Sequence, residues 1–360
     1  MHSMSEVKIQ GREEDFSGGH ATGLQTERLR AEDSDDVARA AELLRVGGTV
    51  AFPTETVYGL GANALNSVAV GKIFAAKQRP TWDPLIVHVE GREMLERVAT
   101  LTAEVRVRAE ALMHAFWPGP LTLLLPRAAA VPGAVTAGRA LVGVRMPAHP
   151  VARELIRQAG VPVAAPSANR FGGTSPTRAA HVLADLDGRI DAVLDGGPAS
   201  VGVESTVLDV GARTVYRPGA VTVAMIERAI GQEVRRGLAG RADRRDAEQG
   251  RASPGMEMRH YSPRARLVLV DGQEDLLREV ASHAPEEVGV MLPDGWAAGA
   301  AGAVWRWGPW NDAAILARLL FAGLWMLDER GVKAIVCPVP QMGGLGEALR
   351  DRLEKAARGK

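Results

Sequence analysis

The sequence predicts a two-domain α/β protein, and three observations carry that expectation. The chain has 360 residues, and at roughly 100–200 residues per domain two units are the natural division. Short β-like runs alternate with amphipathic helices over residues 26–231, a pattern that calls for a sheet layered with helices. After an arginine-rich stretch the alternation resumes over residues 264–360, short enough for a small Rossmann-like unit.

Each element follows from its own residues. Residues 1–25 are polar, dotted with glycine and aperiodic, and read as a disordered extension. Strands are expected at 49–53, 85–89, 121–126, 141–146, 161–165, 190–194, 206–210 and 214–216, each an apolar or Thr-containing run bounded by turn residues. Apolar residues at helical spacing place helices at 35–46, 67–78, 103–116, 151–159, 177–185 and 223–230. Residues 231–251 hold Arg235, Arg236, Arg241, Arg244, Arg245 and Arg251 with no apolar period. They read as a solvated linker, extended to 232–263. Beyond it, strands at 267–270, 288–292 and 334–337 alternate with helices at 274–282, 311–329 and 347–357. The expected domains are therefore 26–231 and 264–360.

Composition excludes several classes. The 43 basic side chains cancel the 43 acidic ones, which argues against a protein held on nucleic acid by charge alone. The single cysteine, Cys337, rules out an internal disulfide and any cysteine-rich zinc module, and points to a reducing, cytoplasmic setting. No apolar run approaches the ~20 residues of a membrane span, so no membrane partner is expected. GxxxxGK[ST], HExxH, CxxC and GxSxG do not occur. Gly59-Leu60-Gly61-Ala62-Asn63-Ala64 fits the loose GxGxxA dinucleotide pattern, but Asp83 precedes the next strand instead of ending it, so the match reads as an accident.

Polar groups gather at strand ends. Thr54, Glu55 and Thr56 leave the 49–53 strand, as ligand holders or as a self-satisfied turn. Val70, Ile73, Phe74 and Lys77 share one helical face, and Arg79 follows before Pro80 stops the helix. These two cations either offset the helix dipole or clamp an anion, and spacing does not choose between them. His88 shares a strand face with Ile86, while Arg145 stands on a short apolar strand where it needs an anionic partner. Gly143 beside it is expected to leave room for a ligand. Pro166-Ser167-Ala168-Asn169 ends another strand, and Ser175 is placed to cap the helix after it. No nucleophile–base pair stands out. The inventory suits positioning and charge stabilisation, as in adenylyl transfer from ATP.

PTETVYGLG, KIFAAKQRP, DPLIVHV, WPGPLTLLLP, VRMPAHP, APSANRFGGTSPT, GVESTV and YRPG occur in that order. Together they resemble the L-threonylcarbamoyladenylate synthases, the YrdC-like enzymes of tRNA modification. Ser253-Pro254-Gly255-Met256 to His260-Tyr261-Ser262-Pro263 resembles the linker of the two-domain, Sua-type branch. The resemblance implies a YrdC-like twisted mixed sheet with a concave active-site face, followed by a Rossmann-like C-terminal domain. It implies a nucleotidyltransferase that makes threonylcarbamoyl-AMP and pyrophosphate from L-threonine, bicarbonate and ATP with Mg²⁺. A transferase machinery would then act on tRNA next to the anticodon, direct tRNA binding being left open. Carried over by motif, Thr56, His88, Arg145, Ala165 and Ser205 would hold threonine. Lys77, Arg79, Asp83, Ser167, Asn169, Ser175 and Arg217 would hold ATP, with Lys77, Arg79 and Arg145 as the catalytic cations. His260 and Tyr261 would close over the cleft as a lid. The family usually has Asn where Asp83 stands, and no metal ligand is assigned.

Three other readings compete with this one. A carbamoyl-transfer enzyme of the same superfamily would carry a zinc module, which one cysteine forbids. An RNA-binding module using the concave face predicts salt-dependent tRNA binding without ATP chemistry, against which stand zero net charge and no aromatic stripe. A catalytically dead paralogue is disfavoured by the intact KxR and SxN motifs.

Overall fold

The computed structural model describes residues 24–237 and 260–358. The expected N-terminal extension, apart from Leu24 and Gln25, and most of the expected linker lie outside the described residues.

Among the described residues the strands of the first domain are β1 (Glu27–Arg30), β2 (Val50–Phe52), β3 (Gly59–Asn63), β4 (Ile86–His88), β5 (Leu121–Pro126) and β6 (Leu141–Arg145). They continue with β7 (Val163–Ala164), β8 (Ala192–Asp195), β9 (Thr206–Asp209), β10 (Thr214–Arg217) and β11 (Arg235–Arg236). The helices are α1 (Ser34–Arg45), α2 (Ser67–Lys77), α3 (Arg92–Val98), α4 (Ala103–Phe116), α5 (Gly133–Thr136), α6 (Pro150–Ala159), α7 (Ala179–Leu186) and α8 (Val223–Ile230). The strands form one mixed 11-stranded sheet in the order β1-β8-β2-β3-β7-β4-β6-β5-β9-β10-β11. The C-terminal domain holds β12 (Arg266–Val270), α9 (Gln273–Ala281), β13 (Val288–Pro293), β14 (Ala303–Gly308), α10 (Ala313–Glu329), β15 (Ala334–Pro338) and α11 (Leu345–Ala357). Its four strands are all parallel, in the order β12-β15-β13-β14, as a Rossmann-like unit requires.

Local chemistry sets the elements that position the site. Asn66 caps α2 by accepting from the backbone N–H of Val68 and Ala69. The helix stops where Gln78 enters the left-handed region at φ 53° and Pro80 follows. Its buried face carries Val70, Ile73, Phe74 and, as the spacing predicted, Lys77. Strands β4 and β6 run parallel with His88 opposite Arg145, so both side chains leave the sheet at one edge of the same rung.

Six elements depart from expectation: no strand is expected at β1, β3, β11 or β14 and no helix at α3 or α5. In β3 the glycines hid the strand. A Cβ on Gly61 would lie 2.7 Å from the Phe52 ring and 2.8 Å from Val163, so close packing, not a phosphate, explains the GxGxxA match. β14 is an edge strand with Val304 and Arg306 exposed, which removes the buried run the eye looks for. Gly143 does not leave ligand space: a Cβ there would meet Thr122, Leu124 and Ile86 at 3.3–3.5 Å.

The two domains pack on each other. One buried cluster joins Val57, Val203 and Tyr261 to Leu316, Leu320, Phe321 and Leu324 of α10. Gly202, at φ 82°, lies so close to α10 that a Cβ would sit 2.4 Å from the Arg318 backbone. The Trp325 indole N–H donates to the Ser175 carbonyl at 3.2 Å, and its ring stacks on His181 at 5.0 Å. No helix of the described residues is long and apolar enough to cross a membrane.

Candidate active site

Strand ends and loops of the first domain, together with His260 and Tyr261, line a cavity of about 50 Å³. That is small against the roughly 300–1,000 Å³ of pockets that take drug-sized ligands.

The expected threonine group assembles completely. Thr56, His88, Arg145, Ala165 and Ser205 all line the cavity and all are buried. Arg145 Nη1 donates to Thr56 Oγ1 at 2.9 Å and Nη2 to Glu55 Oε2 at 2.9 Å, which supplies the anionic partner its burial demanded. Burial lowers the Arg145 pKa while Glu55 opposes that shift. His88 is pushed down to about 3 by burial and then by the Arg145 charge, so its imidazole is neutral. Its Nδ1 is buried without a hydrogen-bond partner at the cavity wall, an orphan suited to a ligand. Ser205 Oγ pairs with Thr122 Oγ1 at 2.8 Å and accepts from Arg217 Nη2 at 3.1 Å.

The expected nucleotide group is only partly at the cavity. Arg79, Ser167 and Arg217 line it. Lys77 is turned inward, its ammonium donating to the carbonyls of Ser167 (2.6 Å) and Asn169. Burial, and then the neighbouring Arg79, lowers its pKa well below the usual lysine range. Asn169 accepts from Ser167 Oγ at 2.6 Å and donates to the carbonyls of Arg170 and Gly173. It braces the loop and does not line the cavity.

Two more of the expected residues lie away from the cavity. Asp83 is fully buried, with Oδ2 2.8 Å from Arg79 Nη2, because a carboxylate in this apolar setting must pair with the nearest cation. Arg79 also donates to the backbone carbonyls of Asp83 and Pro84, so the segment after α2 folds around its guanidinium. Ser175 neither caps a helix nor lines the cavity; α7 starts at Ala179 after Arg178, and Ser175 Oγ donates to Glu204 Oε1 at 2.6 Å.

His260 and Tyr261 do line the cavity. Their rings lie 4.1 Å apart, and Phe171 meets His260 edge-on at 6.0 Å. Burial and then the charges of Arg79 and Lys77 hold His260 well below its usual pKa. The Ser262 amide donates to the Gly172 carbonyl at 2.9 Å, tying this segment to the loop after Asn169.

The sequence names Glu55 and Glu204 as polar groups at strand ends without giving either a partner, and a buried arginine demanding a carboxylate was the available signal. Arg352 of α11 is fully buried, yet it stands within the charged run Arg350 to Lys355 and reads as surface. Its signal was helical spacing, since Leu345, Leu349, Arg352 and Ala356 share a face.

Comparison with known proteins agrees with this architecture. The family described as "Telomere recombination" matches residues 42–219, and "Threonylcarbamoyl-AMP synthase, C-terminal domain" matches 221–358. The threonylcarbamoyl-AMP synthase of Bacillus subtilis is 43% identical over 343 residues, covering 93% of this chain and 96% of its own. That of Pyrococcus abyssi is 43% identical over 328 residues, covering 88% and 93%. The crystal structure of P. abyssi Sua5 complexed with L-threonine superposes with a TM-score of 0.84 at 40% identity, covering 92% of this chain and 97% of that one. Both family models match in this order, and the relatives are alike over nearly their whole length: the chain belongs to the threonylcarbamoyl-AMP synthase family.

Proposed function

We propose that the protein makes threonylcarbamoyl-AMP and pyrophosphate from L-threonine, bicarbonate and ATP, and that the product feeds a transferase machinery acting on tRNA. The observation that carries this reading is the convergence of Arg79, Arg145 and Arg217 with neutral His88 on one cavity. Both chemical steps bring anions together. The amine of threonine adds to the carbon of CO₂ formed from bicarbonate and loses a proton, giving a carbamate. A carbamate oxygen then bonds to the α-phosphorus of ATP, and the α–β bridging bond breaks with its electron pair leaving on pyrophosphate. Arg145 and Thr56 are placed for the threonine carboxylate and hydroxyl, and His88 offers an acceptor to its amine. Arg79, Ser167 and Arg217 are placed for the phosphates, with Lys77 fixing the loop that carries Ser167. Preorganised cations of this kind typically supply about 2.7–4 kcal/mol each to the transition state.

Among the described residues no three His, Cys, Asp or Glu side chains cluster as a metal site. The carboxylates around the cleft are paired: Glu55 with Arg145, Asp83 with Arg79 and Glu204 with Arg352. This donor set does not fit a protein-held metal, so Mg²⁺ belongs to the substrate as its ATP complex. His260 and Tyr261 act as a lid, because the product is a hydrolysable mixed anhydride that water must not reach.

The test is pyrophosphate release by the full chain with ATP and Mg²⁺, omitting threonine and bicarbonate one at a time. Release that needs both, with a threonylcarbamoyl-AMP peak, is the expected result. No release, together with ATP-independent, salt-dependent tRNA binding, would overturn it.

A further inference from the structure

We infer that Arg352, carried on the last helix of the C-terminal domain, is a positioning residue for the cleft of the other domain. The inference rests on the synthase reading above. Its guanidinium is fully buried and touches three separate pieces of the cavity wall. Nε lies 2.8 Å from Glu204 Oε2, and Nη2 donates to the Pro218 carbonyl at 3.0 Å. Cζ stands 5.2 Å over the Tyr261 ring. Glu204 directly precedes Ser205, Pro218 directly follows Arg217, and Tyr261 is the proposed lid. One side chain therefore fixes the neighbours of Ser205 and Arg217 and the lid ring itself, all of which line the cavity.

Two features show that this segment needs holding. Tyr261 adopts φ 66°, the left-handed region that a bulky aromatic residue rarely enters. Its hydroxyl is also buried without a hydrogen-bond partner. Arg352 supplies a planar cation to the ring face on one side and a fork to Glu204 and Pro218 on the other, a combination that an ammonium group does not reproduce. The charges around it are matched: Glu204 and Asp351 face Arg352, and Lys355 sits on Asp351 at 2.8 Å. Glu204 extends the frame by accepting from Ser175. In this arrangement the C-terminal domain completes the cleft.

The test uses the full chain with Arg352→Lys, which keeps the charge and removes the fork, and Arg352→Gln. Three quantities are read: kcat and threonine KM from pyrophosphate release, threonine affinity by calorimetry, and hydrogen exchange of the Ser262 amide, which Gly172 protects. The expected result for Arg352→Lys is a wild-type-like cooperative unfolding transition, kcat at least tenfold lower, threonine KM severalfold higher and Ser262 exchange at least tenfold faster. A lysine variant with wild-type kcat and KM overturns the inference, whether or not Ser262 exchange changes. If Arg352→Gln does not fold, the lysine variant decides. If the wild-type protein makes no threonylcarbamoyl-AMP, the synthase reading fails instead. Unchanged threonine affinity and Ser262 exchange in Arg352→Lys would then overturn the positioning role by themselves.

Discussion

The proposed threonine half and the proposed nucleotide half of the cleft are built by different means. The first stands on strand ends, with His88 and Arg145 on one rung of β4 and β6, and every expected residue reaches the cavity. The second stands on a helix end and a loop, and Lys77 and Asn169 are spent on holding that loop. Sheet hydrogen bonds fix side-chain direction in advance, whereas a loop needs its own side chains to define its shape. The strand-end side is thus fixed by the sheet, and the loop side by its own side chains.

The largest expected effect breaks the strand-end side. Arg145→Gln leaves Glu55 buried without its cation, and unfolding stability in denaturant should fall by about 3–5 kcal/mol. Adding Glu55→Gln should recover part of that loss without restoring threonine binding. A wild-type midpoint for the single variant would show that the pair does not carry the rung.

On the nucleotide side, Arg79→Gln should weaken calorimetric ATP affinity by about ten- to a hundredfold, the loss of a charge-assisted contact of about 1.5–3 kcal/mol. It also strands Asp83. The double variant with Asp83→Asn should regain stability while ATP affinity stays low. Recovery of both together would make Arg79 purely a structural partner of Asp83.

The third expectation sharpens the contrast through pH. His88 is held at about 3 in the folded protein against about 6.5 unfolded, so below pH 6.5 the unfolded chain takes the proton first. Its contribution to stability is complete above pH 6.5 and is lost as pH falls towards 3, amounting to about 2 kcal/mol at pH 5. His88→Asn should therefore lose less stability than wild type between pH 7 and pH 5, measured by urea unfolding at both values. Equal losses would mean that His88 is protonated in the fold.

The smallest effect is expected at the domain boundary. Arg236→Gln removes an exposed ion pair with Glu347 of α11, and such pairs are worth about 0–1 kcal/mol. A shift as large as that of Arg145→Gln would mean that domain docking depends on surface charge.

Much of this was legible in the residues. Alternating runs and helical faces located eleven of the strands, and Lys77 on an apolar face announced a buried cation. The strand β3 was not, since three small residues carry no β pattern and only Phe52 and Val163 packing over Gly61 explains them. Motif position names Asp83 and Ser175 but not the direction of their side chains, which pair with Arg79 and Glu204 away from the cavity.

By itself the sequence determined which chemistry gathers at the strand ends, because local patterning sets where strands stop and which polar residues follow them. Tertiary structure alone decided which charges neutralise one another. Glu55 meets Arg145 across 90 positions and Glu204 meets Arg352 across 148. Such partners are chosen by the cost of burying an unpaired charge, a cost that exists only once packing of distant segments has excluded water.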